Sequence, residues 1–579
     1  MRQSRLKLAV LAAAVSGMFL PLSALANEAD ILRRVEELTR ELEQLKAQVK
    51  ANQENAKKEV TAQIAPQVKR VSDKSIGQWL TVGGDYQFRI DSLRGETRPF
   101  TDVSAVFANA QNQLQAAFFA NPTPANGAML TGLMGFANGM SGVRSFDQAQ
   151  AFLGANMAML GGLQSFASPA FVDAYKPRNN VSYTNKFGLD LGMHVTDNVS
   201  MTVKLGMYKV FGAQSESSVV NGGSAPFFAD RVGVFDGTLG HVPSSSYLNV
   251  DRAYATWKNL GPNEDVWFSV GRRPATDGAP THLKSNSARP GNGGTPALLV
   301  NYAFDGMTLG YAPEIESLPG FYGKVCYGRG FESGFSTPRG NSLDDTDMLG
   351  IALVPIDTDA MRVWLQWNRG MKIFDAPPMS NTYFGNTKPK INLGDIDWYG
   401  VGMMRTVELG GGKLNYFADL GWSITHPNGN VSAQFGFQGL MTGGFFNPEA
   451  PTSKSGGAIM LGVRYDLPSK TKIGFEYNHG SKNWITFAPA ASDMWTSKVG
   501  ARGNVYDAYV MHEFEDTARA SRTATTFFRL GVQYYDFRYT GSNNWVGAPM
   551  KISDVNGQMM PTTPLSKAYD VYGTLEVKF

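Results

Sequence analysis

Six histidines are the first place to look for chemistry in this 579-residue chain: His194, His241, His282, His426, His479 and His512. None stands in an HxxxH or HExxH pattern, the spacing that puts two ligands on one helical face. Serines are plentiful, but no GxSxG elbow sets one on a strand-to-helix turn. His194 falls on the wet face of an amphipathic run, where a general base would still need a nucleophile beside it. Gly410-Gly411-Gly412 lies between two such runs and reads as a turn, not as a phosphate cradle. Cys326 is the single cysteine, and no CxxC or CxxCH occurs, so the sequence carries no disulfide, c-type haem or thiolate zinc motif. These residues predict a protein that is not an enzyme and holds no cofactor or metal.

The residues that could act are basic ones. Arg272, Arg273, His282, Lys284 and Arg289 run against only Asp277, starting where an amphipathic run ends and entering a long connection. Folded into a water-filled bore they would form a positive ring that favours anions. Left outside, they would be a solvated loop or would neutralise lipopolysaccharide phosphates. Arg89, Lys186 and Lys204 sit on the wet faces of alternating runs, in the company of Asp85, Asp91 and Asp190. These eight are the candidate pore-lining or selectivity residues. The net charge of +3 gives no reason to expect a nucleic-acid partner.

The elements that must position these residues are strands. At the C-terminus, Tyr569, Val571, Leu575, Val577 and Phe579 share one face, with Gly573 in the gap. Asp570, Tyr572, Thr574, Glu576 and Lys578 share the other. That is the period of a strand with one apolar and one wet face. An open strand of this kind invites aggregation in water, whereas a barrel in lipid needs it to close. Near the other end, Leu80, Val82, Tyr86, Phe88 and Ile90 oppose Thr81, Asp85, Gln87, Arg89 and Asp91. A hairpin follows at 180–195 and 199–211, with Thr196-Asp197-Asn198 as its turn. The 63 glycines and 35 Phe, 22 Tyr and 10 Trp suit strands, turns and interfacial girdles, and no run after the N-terminus is apolar and long enough for a membrane-spanning helix.

Counting amphipathic runs gives an all-β, transmembrane antiparallel barrel of about sixteen strands, counted with a strand at 297–304, a turn at Asp305-Gly306 and 321–331 left over. Short turns alternate with long polar connections. Residues 93–178 form the longest, and Val103 to Val143 within it has no charged residue. We expect this segment to lie outside or to fold into the lumen as a partial plug. Ahead of the barrel at 78–579, residues 1–26 read as a signal peptide cleaved after Ala26: Arg2, Arg5 and Lys7, then an apolar stretch, then Ala24-Leu25-Ala26. Residues 27–72 carry Ile31, Val35, Leu38, Leu42, Leu45 and Val49 at heptad spacing, which predicts a short coiled coil, as a periplasmic stalk or an amphipathic helix at the mouth.

This order of signal peptide, coiled coil and barrel resembles the phosphate-selective porins O and P. It also resembles a proteobacterial outer-membrane family with an N-terminal coiled coil, known as a domain of unknown function. The stretches carrying the second resemblance are Val250-Asp251-Arg252-Ala253-Tyr254, Ser269-Val270-Gly271-Arg272-Arg273-Pro274, Pro319-Gly320-Phe321-Tyr322 and Cys326-Tyr327-Gly328-Arg329-Gly330-Phe331. The resemblance implies a porin-like barrel in the outer membrane of a Gram-negative cell and brings no catalytic residues. The expected function is passive diffusion of small hydrophilic solutes, with anion preference. The expected partners are outer-membrane lipid, lipopolysaccharide, small solutes and two further copies in a homotrimer. The alternative is a barrel sheath around a partner such as a multihaem cytochrome. A third reading is an adhesin or assembly factor built on the loops and stalk.

Overall fold

Alternation of apolar and polar side chains along each run produces the observed architecture. In the computed structural model, sixteen antiparallel strands form a closed barrel. The structure describes residues 79–212, 243 and 245–579, apart from 263, 275–277, 288–297, 302, 336–342, 377–378, 383–384, 489–491 and 516–523, together with Arg33, Arg40, Glu43, Gln44 and Lys46 as helical positions. The expected signal peptide and every residue of the heptad seam lie outside these.

The barrel strands are β1 (Leu80–Thr97), β2 (Arg178–His194), β3 (Val199–Val210), β4 (Ser245–Leu260), β5 (Val266–Arg273), β6 (Phe304–Tyr311), β7 (Tyr322–Phe331) and β8 (Thr346–Asp357). They continue as β9 (Met361–Phe374), β10 (Asn392–Leu409), β11 (Gly412–Pro427), β12 (Ser455–Asp466), β13 (Thr471–Gly480), β14 (Gly503–Glu513), β15 (Thr525–Phe537) and β16 (Leu565–Lys578). Each pairs with its neighbours in sequence, and β16 closes on β1 with Asp85 opposite Lys578 and Asp91 opposite Tyr572. The last residue completes the ladder. Gly84 N–H donates to the Phe579 carbonyl at 2.9 Å, and Phe579 N–H donates to that of Gly84 at 3.0 Å. A side chain at Gly84 would strike the Gly188 carbonyl and the Phe579 ring, so the seam requires glycine there.

The two faces separate as the alternation demands. On β1, Gln87, Arg89 and Asp91 are buried inside while Tyr86 and Ile90 are exposed outside. On β16, Asp570, Tyr572, Thr574 and Glu576 point in, and Tyr569, Val571 and Leu575 point out. The outward side chains form the apolar belt that a barrel presents to lipid.

One strand differs from expectation. Leu298 to Val300 do not form a barrel strand, Phe304 and Asp305-Gly306 lie within β6 instead of ending a strand in a turn, and the left-over segment supplies β7. The reason is in the pattern. Ala297-Leu298-Leu299-Val300 is apolar at consecutive positions, which suits a segment buried on all sides and not a wall between lipid and water. Leu298, Leu299 and Val300 are indeed almost fully buried. The first strand also runs to Thr97, so the long first connection spans 98–177.

That connection is helical: α1 (Val103–Ala120), α2 (Pro124–Gly142), α3 (Phe146–Ala155) and α4 (Met157–Gln164). Asp102 caps α1 by accepting from the Ser104 and Ala105 N–H groups, and Ser145 with Gln148 forms a capping box on α3. The helices pack on one another and, through Phe136, Met140, Phe152 and Leu153, on Val431, Phe437 and Phe446 of the β11–β12 connection. Phe119, Met134 and Met157 stay exposed.

The belt assignment yields a test. Leu530, midway along β15, is 58% exposed on the outer face. Leu530→Arg should lower folding stability in lipid vesicles by about 2–4 kcal/mol, the penalty for a cation near mid-membrane. A change below ~0.5 kcal/mol, ordinary for a water-exposed site, would rule out a lipid-facing position.

Candidate functional site

Inward-facing side chains should line an open bore, but the barrel's own connections fill much of it. Segments from the β5–β6, β11–β12, β13–β14 and β15–β16 connections meet the inner faces of β8 to β12 in one apolar cluster. Leu298, Trp398, Trp484, Phe487 and Trp545 are central to it. Indole N–H groups fix the arrangement: Trp398 donates to the Ile485 carbonyl at 2.9 Å, Trp484 to Val499 at 2.8 Å and Trp545 to Phe374 at 2.7 Å.

Described residues of the β13–β14 connection, 481–502, belong to both walls. Trp484 and Ile485 belong to the first cluster, whereas Met494 and Trp495 pack with Leu93, Tyr208, Tyr535 and Ala568 on the opposite wall. Its end is pinned by Arg502, which is 1% exposed and donates to the carbonyls of Trp484, Thr540, Gly541 and Asn544. Burial without a carboxylate pulls the Arg502 guanidinium down to about 9, and the four carbonyls hold its charge in place.

Between the two clusters lies an ionic core. Asp507 on β14 is fully buried and accepts from Lys284, from Lys498 at 3.0 Å and from the Tyr572 hydroxyl at 3.0 Å. Lys498 also pairs with Glu476. Burial works against the Lys498 charge, but Asp507 and Glu476 outweigh it and hold the ammonium well above the ordinary lysine range. For Lys284 burial wins and lowers the pKa, with Asp507 offsetting it only in part.

The segment 279–287 is held from below by the wall. Arg464 donates to the Leu283 carbonyl, Arg529 to that of Lys284 and Lys578 to that of Ser285. Lys472 and Glu513 bind the Asn286 side chain. Beneath this segment opens a cavity of ≈ 940 Å³, whose lining includes Asp85, Lys204, Arg362, Asp466, Lys472 and Lys578. Its charges are largely matched in pairs. Lys204 meets Asp85 at 3.1 Å and Asp190 at 3.6 Å, Arg464 meets Asp466 at 2.7 Å, and Lys472 meets Glu513.

The eight basic positions expected to matter are dispersed. Arg89 faces inward but is buried against Asp91 at 2.6 Å and Asp570 at 2.8 Å, under the Tyr572 ring. Lys186 is half-buried on the inner face, in register between Gln87 and Tyr208. Lys204 lines the cavity. His282 and Lys284 enter the bore on the inward segment. Arg273 faces in, stacked on Tyr254 at 4.3 Å and donating to Ser269 at 2.7 Å. Arg272 faces out: it lies opposite Asp305, 3.4 Å away, on the face of exposed Val270 and Met307. Arg289 lies outside the described residues.

Arg272 belongs to an outer ionic band at the long-loop end. Arg329 pairs with Asp347 at 2.6 Å, Arg369 with Asp395 at 2.7 Å, and His426 with Asp397 at 2.9 Å. Tyr327 and Trp367 donate to the same carboxylates, as girdle aromatics do at a membrane interface. Sequence reading missed Asp507, Lys498 and Arg502. The signal available for Asp507 was a lone acid on an alternating run, and for Lys498 and Arg502 only their place in a long connection.

The core can be tested by breaking it. Asp507→Asn leaves Lys284 and Lys498 buried with one carboxylate fewer, and should destabilise the fold by about 3–5 kcal/mol. Urea unfolding in detergent would measure it; a loss below ~1 kcal/mol would show the network to be dispensable.

Residues 176–579 match the profile of a family described as protein of unknown function (DUF3373). Among curated proteins nothing matches. Solved structures to which the chain is similar include Pseudomonas putida OprB, at 9% identity over 87% of this chain and 95% of that one, with a TM-score of 0.38. The anion-selective porin from Comamonas acidovorans aligns at 10% identity over 86% and 99%, TM-score 0.36. The outer membrane channel DcaP of Acinetobacter baumannii aligns at 9% identity over 87% and 98%, TM-score 0.35. The likeness is distant.

Proposed function

We propose that this chain, which belongs to the DUF3373 family, is a constricted outer-membrane channel for passive diffusion of small hydrophilic solutes. The observation that carries this reading is the ≈ 940 Å³ cavity inside the barrel, lined by charged and polar side chains and roofed by an inward-folded segment. A barrel serving only as an anchor has no need of so polar an interior. The short-turn end, where β1 and β16 meet, faces the periplasm, and the long connections face outward, as in outer-membrane barrels generally.

Selectivity follows from how charge is spent inside. A positive ring from the 272–289 stretch was the expectation. In its place, wall cations Arg464, Arg529 and Lys578 donate to backbone carbonyls, and most cavity cations have a carboxylate beside them. Paired charges present a weak net field to a passing ion. We therefore assign the channel mild anion preference at most, with size the stronger filter. The sheath alternative needs an open bore for a folded partner. Trp398, Trp484 and Trp545 occupy that space, which favours the channel.

Single-channel recording of the full chain in a planar bilayer tests this. Small stable steps are expected, with a reversal potential near zero in a salt gradient. Deleting 279–287 should raise conductance by roughly twofold or more, because constriction width governs flux. A folded barrel that stays silent both before and after the deletion would end the channel proposal.

A further inference from the structure

A second, smaller pocket sits in the inner wall beside the β5–β6 connection. Its volume is ≈ 30 Å³, and Arg273, Thr308, Lys324 and Asn368 bring the polar groups to it, with Val300 and Phe304 closing it over. Three features distinguish it from the mixed cavity below. First, two cations line it and no Asp or Glu does, among the described residues. Second, two donors lack acceptors. Arg273 Nε and Asn368 Nδ2 are buried and unmatched among the described residues, and each parent residue is 8% exposed. Third, the protein already engages other parts of Arg273: Nη1 donates to Ser269 Oγ, and the guanidinium face rests on Tyr254. Lys324 stands in register between Gly310 and Ala352, two small residues.

A buried donor left without an acceptor loses its hydration uncompensated, and a buried cation without a counter-charge loses more. Donors and positive charge converging on one space call for an anion. The volume matches about one water molecule, so the occupant must be monatomic or nearly so. We infer that Arg273, Lys324 and Asn368 form a binding site for a single small monovalent anion of the halide class. The Thr308 hydroxyl does not complete the shell, since it donates to Cys326 Sγ at 3.4 Å. The site stands on Arg273, one of the basic residues singled out in the sequence, but acts through a fixed pocket and not through a ring around the bore. It rests on the channel reading only for the route by which the anion arrives.

The test is anomalous diffraction from crystals of the full chain in detergent, grown with bromide at physiological halide concentration. The expected result is one bromide peak between Arg273 Nε and Asn368 Nδ2. Asn368→Asp keeps the side-chain shape and adds a negative charge, so the peak should vanish while the barrel stays heat-modifiable on gels. Lys324→Gln should weaken it severalfold. A site holding water alone, a peak that appears only in molar bromide, or a peak that survives Asn368→Asp would each overturn the proposal. Because occupancy is read in crystals, a silent channel would leave this result standing, and an empty pocket would leave conduction standing.

Discussion

Lipid offers no partner to a backbone N–H or C=O, and the rest of this structure depends on that constraint. It forces sixteen strands to close, and closure falls to β16, whose last residue pairs with Gly84. Once the sheet is closed, each strand has one face in lipid and one face inside. The inner face collects the polar side chains, and water is scarce where the connections fold in. Charges there are tolerated because they meet: Arg89 with two carboxylates, Asp507 with two ammonium groups and a phenol. Backbone pairing in the wall thus leads to ion pairing in the bore.

The β13–β14 and β15–β16 connections both contribute to the apolar clusters on the two walls. The 481–502 connection puts aromatic side chains on both walls and a lysine between them. Its anchors are of different kinds. Indole N–H groups and Arg502 bind backbone carbonyls, while Lys498 binds carboxylates. A segment tied in this way has a fixed position, so the space left beside it has a fixed shape. Leu283, which lines the larger cavity, and Val300 and Met348, which line the small pocket, belong to the same apolar cluster as Trp484.

Much of the wall was legible in the sequence because a period of two is a local property. The faces of β1, β2, β3 and β16 follow directly from which residues alternate. The strand number came out at sixteen, yet with one strand misplaced. Leu298 to Val300 resembles a strand because it is apolar, whereas Gly328 and Gly330 interrupt the inner face of β7 and Gly323 its outer face. The candidate site was less legible. Whether Lys284 meets Asp507 depends on a segment more than two hundred residues away in sequence, and no local pattern encodes that. Arg272 and Arg273 show the same limit at its smallest scale: neighbours in the chain, they stand on opposite faces of the wall, and the basic stretch reads as one cluster only until the strand is placed.

The helical first connection has a consequence of another kind. Between Arg98 and Lys176 the chain contains one lysine or arginine, Arg144. That guanidinium bonds back to the Ser141 and Val143 carbonyls, and the adjoining Ser145 bridges to Asn430. A protease that cuts after basic residues therefore has a single bond to attack in the whole of α1 to α4, at a point held against the neighbouring loop. Digestion of the purified protein with trypsin would leave this helical segment in long pieces. An enzyme that prefers large apolar residues would find Phe119, Met134 and Met157 in the open.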